Sequence, residues 1–90
     1  MSIEIEVFFT PGCGRCARAR NALKEVAQSF GEHRVAWREA NLLDELDYAV
    51  RLGVLTPPSV AIDGELVFAK LPRPARLRNE LSRRLAGERA

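Results

Sequence analysis

Cys13-Gly14-Arg15-Cys16 gathers both cysteines of the chain into one tetrapeptide. Two thiols three positions apart on a helix lie about one turn from each other, so they can alternate between a dithiol and a disulfide. Exchange requires a thiolate, and an ordinary cysteine, with a pKa of about 8.5, is mostly protonated at neutral pH. The site must therefore favour the anion. Cys13 falls where a strand pattern gives way to a helical one, so free backbone N–H groups and the positive end of the helix dipole face its sulfur. Gly14, which opens the helical pattern, and Arg15 are the neighbours expected to activate it. Arg15 and Arg18 add positive charge, which solvent screens to a modest effect. Cys16 is one turn further in and more shielded. The asymmetry assigns Cys13 as the attacking nucleophile and Cys16 as the thiol that resolves the mixed disulfide.

Two other uses of the pair are weaker. A static bridge closing so short a loop constrains the unfolded chain by only about 2 kcal/mol. Tetrahedral zinc wants four ligands, and the chain has one histidine, His33, at the far end of the first helix. No metal and no cofactor is expected, the dithiol itself being the redox centre.

The elements that must hold this pair follow from periodicity. Ile3, Ile5, Val7 and Phe9 alternate with Glu4, Glu6 and Phe8 as in a strand, which Thr10-Pro11-Gly12 ends. From Gly14, the residues Cys16, Ala19, Leu23, Val26, Ala27 and Phe30 recur at helical spacing, with Gly31 as the stop. Residues 34–41, with Val35 and Trp37 alternating with Arg38, predict a second strand, parallel to the first because a helix joins them. Asn41 is expected to cap a second helix with Asp44 and Glu45 in its first turn, with Leu46, Ala49 and Val50 inward and Gly53 closing it. Val60-Ala61-Ile62 and Leu66-Val67-Phe68 flank Asp63-Gly64, a hairpin signal. Leu77, Leu81 and Leu85 predict a third helix from about Pro74 to Ala86, ended by Gly87.

Composition bounds what these elements build. Ninety residues without a Ser/Gly-rich or Pro-rich linker are expected to form one domain spanning 1–90. A chain 47% hydrophobic and 29% charged is not of disordered type. Its apolar runs are a few residues long, against about 20 for a membrane span. The segment Met1-Ser2-Ile3-Glu4-Ile5-Glu6 does not read as a secretory signal, and a cytoplasmic protein is expected. Charge is uneven: residues 1–69 carry seven Lys/Arg against ten Asp/Glu, net −3, and residues 70–90 seven against two, net +5. The six arginines from Arg73 to Arg89 have no aromatics interleaved, so a solvated helix face is expected rather than a nucleic-acid surface. Trp37 and Tyr48 are expected to pack, and His33 to lie in a solvated loop.

The stretch Phe9-Thr10-Pro11-Gly12-Cys13-Gly14-Arg15-Cys16, together with Gly53-Val54-Leu55-Thr56-Pro57-Pro58 and the following Ser59-Val60-Ala61-Ile62-Asp63-Gly64, resembles the thioredoxin-like superfamily, in particular its small thioredoxin and glutaredoxin-like members. The likeness covers essentially the whole chain. It implies an α/β fold of order βαβαββα, a four-stranded mixed sheet in order 2-1-3-4 with helices on both faces. It also implies a cis-proline facing the cysteines. Counting four residues on from Gly53-Val54, or five back from Asp63-Gly64, leads to Pro58. In the family the preceding residue pairs its backbone with an extended substrate. Here that residue is Pro57, which lacks an N–H and offers only its carbonyl, so Thr56, Pro57 and Pro58 form the expected substrate-binding stretch.

The resemblance further implies reduction of disulfides in protein substrates by a monomer, the dithiol being regenerated by a partner thiol reductase. Two alternatives stand beside it: a glutathione-dependent glutaredoxin-like reductase, and a non-enzymatic binding module. Three departures from the family pattern bear on these. Gly12 replaces the tryptophan of thioredoxins before the first cysteine, and Gly14-Arg15 replaces their Gly-Pro. Val7 stands where thioredoxins bury an acid, Glu6 being its neighbour on the other face. Glutaredoxins carry Gly-Gly-x-x-Asp after the hairpin, where this chain has Phe68-Ala69-Lys70-Leu71-Pro72.

Overall fold

Ile3, Ile5 and Val7 turn to one side of the first strand and Phe8 to the other, and all four are buried, so this strand must be covered on both faces. The computed structural model describes residues 3–11, 14–31, 33–54 and 57–88, with the side chains of 14–16 and 88 outside the description. The elements are β1 (Ile3–Phe9), α1 (Gly14–Ser29), β2 (Val35–Asn41), α2 (Leu46–Leu52), β3 (Ser59–Ile62), β4 (Glu65–Phe68) and α3 (Pro74–Glu88). The sheet order is β2-β1-β3-β4, with β1 parallel to β2 and antiparallel to β3, and β3 antiparallel to β4. This is the order expected from the sequence.

One face of the sheet packs Ile3, Ile5, Val7, Val35, Val60 and Ile62 against Leu23, Val26 and Ala27 of α1 and Leu77 and Leu81 of α3. The opposite face packs Phe8, Ala40 and Ala61 against Ala49 of α2 and Val54 after it. The spacing of Leu23, Val26 and Ala27 is the i, i+3, i+4 stripe of an amphipathic helix, and Leu77 with Leu81 repeats it at i, i+4. Pro74 opens α3 at the first helical position, where its missing N–H costs nothing, and the Arg73 carbonyl accepts from the Leu77 N–H (3.2 Å).

At the far end of the sheet, Asp63 (φ 52°) and Gly64 (φ 79°) make the left-handed pair that a two-residue hairpin needs. The Asp63 N–H donates to the Glu4 carbonyl (2.8 Å), and the Glu4 N–H donates to Asp63 Oδ1 (2.9 Å), so the turn is clasped to β1.

Three expectations are corrected. Asn41 ends β2 and does not cap α2: its Oδ1 accepts from the Leu43 N–H (2.9 Å) and its carbonyl from Asp44 and Glu45, making a turn that delays the helix to Leu46. The inward face of α2 is consequently Ala49, with Tyr48 and Leu52 half-buried against the same core, while Leu46 and Val50 are 53% and 64% exposed. Gly87 does not end α3, which continues to Glu88; its φ stays negative, and nothing packed nearby forces a turn.

Candidate active site

The end of the sheet opposite the hairpin collects four chain corners. β1 finishes at Phe9 and α1 starts at Gly14, so the backbone of Cys16 lies in the first turn of α1. Cys13 and Thr56 lie outside the described residues, as do the side chains of Gly14, Arg15 and Cys16. The second corner, leading from β2 into α2, is tied to the first: the Leu42 N–H donates to the Phe9 carbonyl (2.8 Å). The third leads into β3. Phe8 pairs with Ser59 in the antiparallel register, which brings the half-buried Pro57 and Pro58 beside the end of β1. The peptide bond between Pro57 and Pro58 is cis. The fourth corner follows β4, where the Ser59 hydroxyl donates to the Ala69 carbonyl (3.3 Å).

The structure thus brings the head of α1 and the Pro57–Pro58 segment to one end of adjacent, antiparallel strands. Chemically, the head of α1 is electropositive. Its first-turn N–H groups have no partner within the helix, and no acidic residue occupies its first turn to compensate them. Such a terminus lowers the pKa of a thiol placed at it. Arg18 is exposed on the next turn. Arg20 is committed elsewhere: its guanidinium lies 4.1 Å from the Phe9 ring centroid and 3.0 Å from Glu39 Oε1, pinning the end of β1 to α1 and β2.

Val7 is fully buried on the α1/α3 face, so no carboxylate is offered there by β1. Glu6 faces α2, where only 7% of the residue is exposed. Its carboxylate accepts from the Arg38 guanidinium and, at 2.5 Å, from the Tyr48 hydroxyl, while Arg38 also donates to both oxygens of Glu45 at 2.8 Å. Hydrogen bonding to Glu6 and then to Glu45 pushes the guanidinium pKa of Arg38 up. The phenol of Tyr48 is pushed up as well, first by its hydrogen bond to Glu6 and then by burial. Tyr48 also packs on Phe8, with ring centroids 5.8 Å apart. This network escaped the sequence reading. Its one signal there was a glutamate in a strand otherwise buried on both faces, which requires a cationic or hydroxyl partner. Trp37 is half-buried against the core and donates from Nε1 to Glu39 Oε2 (3.2 Å), a packing role like that expected. Among the described residues no group of three or more His, Cys, Asp or Glu is arranged to hold a metal ion.

Comparison with known proteins bears on the chain as a whole. The family model for the thioredoxin domain matches residues 3–82. A thioredoxin of Methanocaldococcus jannaschii is 26% identical over 83 residues, covering 92% of this chain and 96% of that protein. A probable thioredoxin of Methanothermobacter thermautotrophicus is 28% identical over 72 residues, covering 80% and 84%. Among solved structures, chloroplastic thioredoxin z aligns with a TM-score of 0.76 at 19% identity over 94% of this chain and 80% of that one. Thioredoxin-2 of the malaria parasite aligns with a TM-score of 0.75 at 13% identity, over 91% and 82%. At these identities the structural likeness speaks for the fold.

Proposed function

Because this chain belongs to the thioredoxin family, and is thereby a thiol–disulfide oxidoreductase, we propose that it reduces protein disulfides through Cys13 and Cys16. The Cys13 thiolate attacks one sulfur of the substrate disulfide, that S–S bond breaks, and the departing substrate sulfur takes a proton from solvent. Cys16, deprotonated in turn, attacks the Cys13 sulfur and expels the second substrate thiol. The chain is left with a Cys13–Cys16 disulfide and the substrate has gained two electrons and two protons. A partner thiol reductase, or glutathione, returns them.

What supports this reading is that α1 begins at Gly14, immediately after Cys13 in the sequence, that the backbone of Cys16 lies in its first turn, and that this uncompensated positive helix end stands beside the Pro57–Pro58 segment. Gly14 and Arg15 act on the thiolate, and Thr56, Pro57 and Pro58 meet the substrate backbone. Residues 1–90 act as one domain and as a monomer, in the cytoplasm, where a working dithiol is kept reduced. No cofactor enters the reaction.

Insulin disulfide reduction with a chemical or enzymatic electron source tests the proposal. Cys13→Ser should abolish turnover, whereas Cys16→Ser should accumulate mixed disulfides visible by mass. If both variants match the wild type, or if Cys13 resists an alkylating agent at pH 7, the chain is a binding module and not a reductase. Activity sustained by glutathione with its reductase, and by no thioredoxin reductase, would assign glutathione as the donor.

A further inference from the structure

The rim of the site end is electrically polarised across the sheet. At the β4 corner, Lys70, Arg73 and Arg76 are exposed and form no ion pair among the described residues, and Arg76 lies with its guanidinium 5.5 Å from the Phe68 ring centroid. The hydroxyl of Ser59, which immediately follows Pro58, bonds to the Ala69 carbonyl and places this corner next to the Pro57–Pro58 segment. At the β2 corner, Asp44 and Asp47 are exposed and likewise unpaired among the described residues, beside the exposed Leu43 and Leu46. Other charges near this end are paired, Arg20 with Glu39 and Arg38 with Glu6 and Glu45, while Arg51, one turn after Asp47 on α2, is exposed and forms no ion pair among the described residues. Arg18, on α1, is exposed, forms no ion pair among the described residues and belongs to neither corner.

Two features argue that the arrangement is not incidental to folding. Arg73 and Arg76 sit at the start of α3, whose first turn holds no acidic residue, so cations stand at the positive end of a helix where the dipole opposes them, and of the two only Arg76 has a ring contact among the described residues, with Phe68, to offset this. The two corners are also too distant to neutralise each other. Three strand spacings separate β2 from β4, roughly 14 Å, against a Debye length of about 8 Å at physiological ionic strength.

Resting on the reductase reading above, the geometry points to a substrate-orienting rim: the disulfide-bearing segment lies across the sheet end with its acidic residues towards Lys70, Arg73 and Arg76 and its basic residues towards Asp44 and Asp47. Two peptides of identical composition and net charge then differ as substrates when only the order of their charges around the reacting cysteine is inverted.

The test uses such a pair, with glutamates on one side of a cysteine and lysines on the other, together with a peptide carrying glutamines on both sides. Each cysteine is capped as a disulfide with a small neutral thiol. At low ionic strength the wild type should discriminate between the two charged isomers about tenfold in kcat/KM, and raising the salt concentration should abolish the difference. The double variant Lys70→Glu with Arg73→Glu should erase or invert the preference and leave the glutamine peptide unaffected. Arg34→Glu, the same kind of charge change at the opposite end of the sheet, should alter nothing. Equal rates for both isomers, with the glutamine peptide reduced, would overturn the rim and leave the reductase reading standing. Reduction of none of the three would overturn both.

Discussion

The carboxylate of Glu6 is shared between a guanidinium and a phenol, and the phenol belongs to the only tyrosine of the chain. That makes one side chain a direct reporter of the buried network. Spectrophotometric titration should give a Tyr48 pKa above the ordinary value of about 10, and Glu6→Gln should bring it back towards that value. A raised phenol pKa means that the folded state holds the proton more tightly than the unfolded chain does. The stability it contributes is therefore complete below pH 10 or so, and lost as pH rises through the unfolded and then the folded value. Tyr48→Phe should lower stability by about 1–2 kcal/mol in urea unfolding, because a hydrogen bond to a charged acceptor is lost at a half-buried position. The proposal for the cysteine pair, by contrast, rests on residue types and spacing, since two thiols in one tetrapeptide have few other uses. The partners of Glu6 were not legible in the sequence. Period-two alternation says which face of a strand a residue takes, and nothing about which side chains from 32 and 42 positions away will meet it there.

At the scale of elements, α1 and α3 were readable because each buries a stripe over several turns, so an error of a residue at either end leaves the face unchanged. The seven residues of α2 give no such redundancy. The Asn41 turn delays its start, and Leu46 and Val50, apolar by type, end on the solvent side, with Ala49 alone fully buried. This inversion has a measurable consequence. Val50→Lys should change stability by no more than about 0.5 kcal/mol, whereas Ala49→Leu, against Phe8 and Ala61, should cost about 1–3 kcal/mol by overpacking. Equilibrium denaturation of the two variants distinguishes the observed face from the one expected of the sequence. Gly53 behaves as read, ending α2 with φ 89° and returning its N–H to the Val50 carbonyl (3.1 Å).

Over the whole molecule, a chain of 90 residues builds two small cores on either side of one sheet, and each carries much of the total stability. Leu81→Ala, at a position with no exposure between the sheet and α1, should cost about 2–5 kcal/mol of a total of roughly 5–15 kcal/mol. A fall in the thermal midpoint together with the urea midpoint checks it. The parallel β1/β2 pair was legible because a helix joins the two strands, and the β3/β4 hairpin because of Asp63-Gly64, whereas the placing of β3 beside β1 came from the family resemblance. The charge arrangement across the sheet end was visible only as a net difference between two stretches of sequence, since which arginines are paired depends on the fold. The sheet order has a last consequence, for how copies of this protein behave towards each other. Its two outermost strands are the places where a second copy would zip on, backbone to backbone. β4 gives such a visitor four residues, too few to hold it, and along β2 the exposed Arg38 and Glu39 would have to surrender water to let it in. Both borders are guarded against annealing into fibres, so crowded solutions of this protein should stay clear.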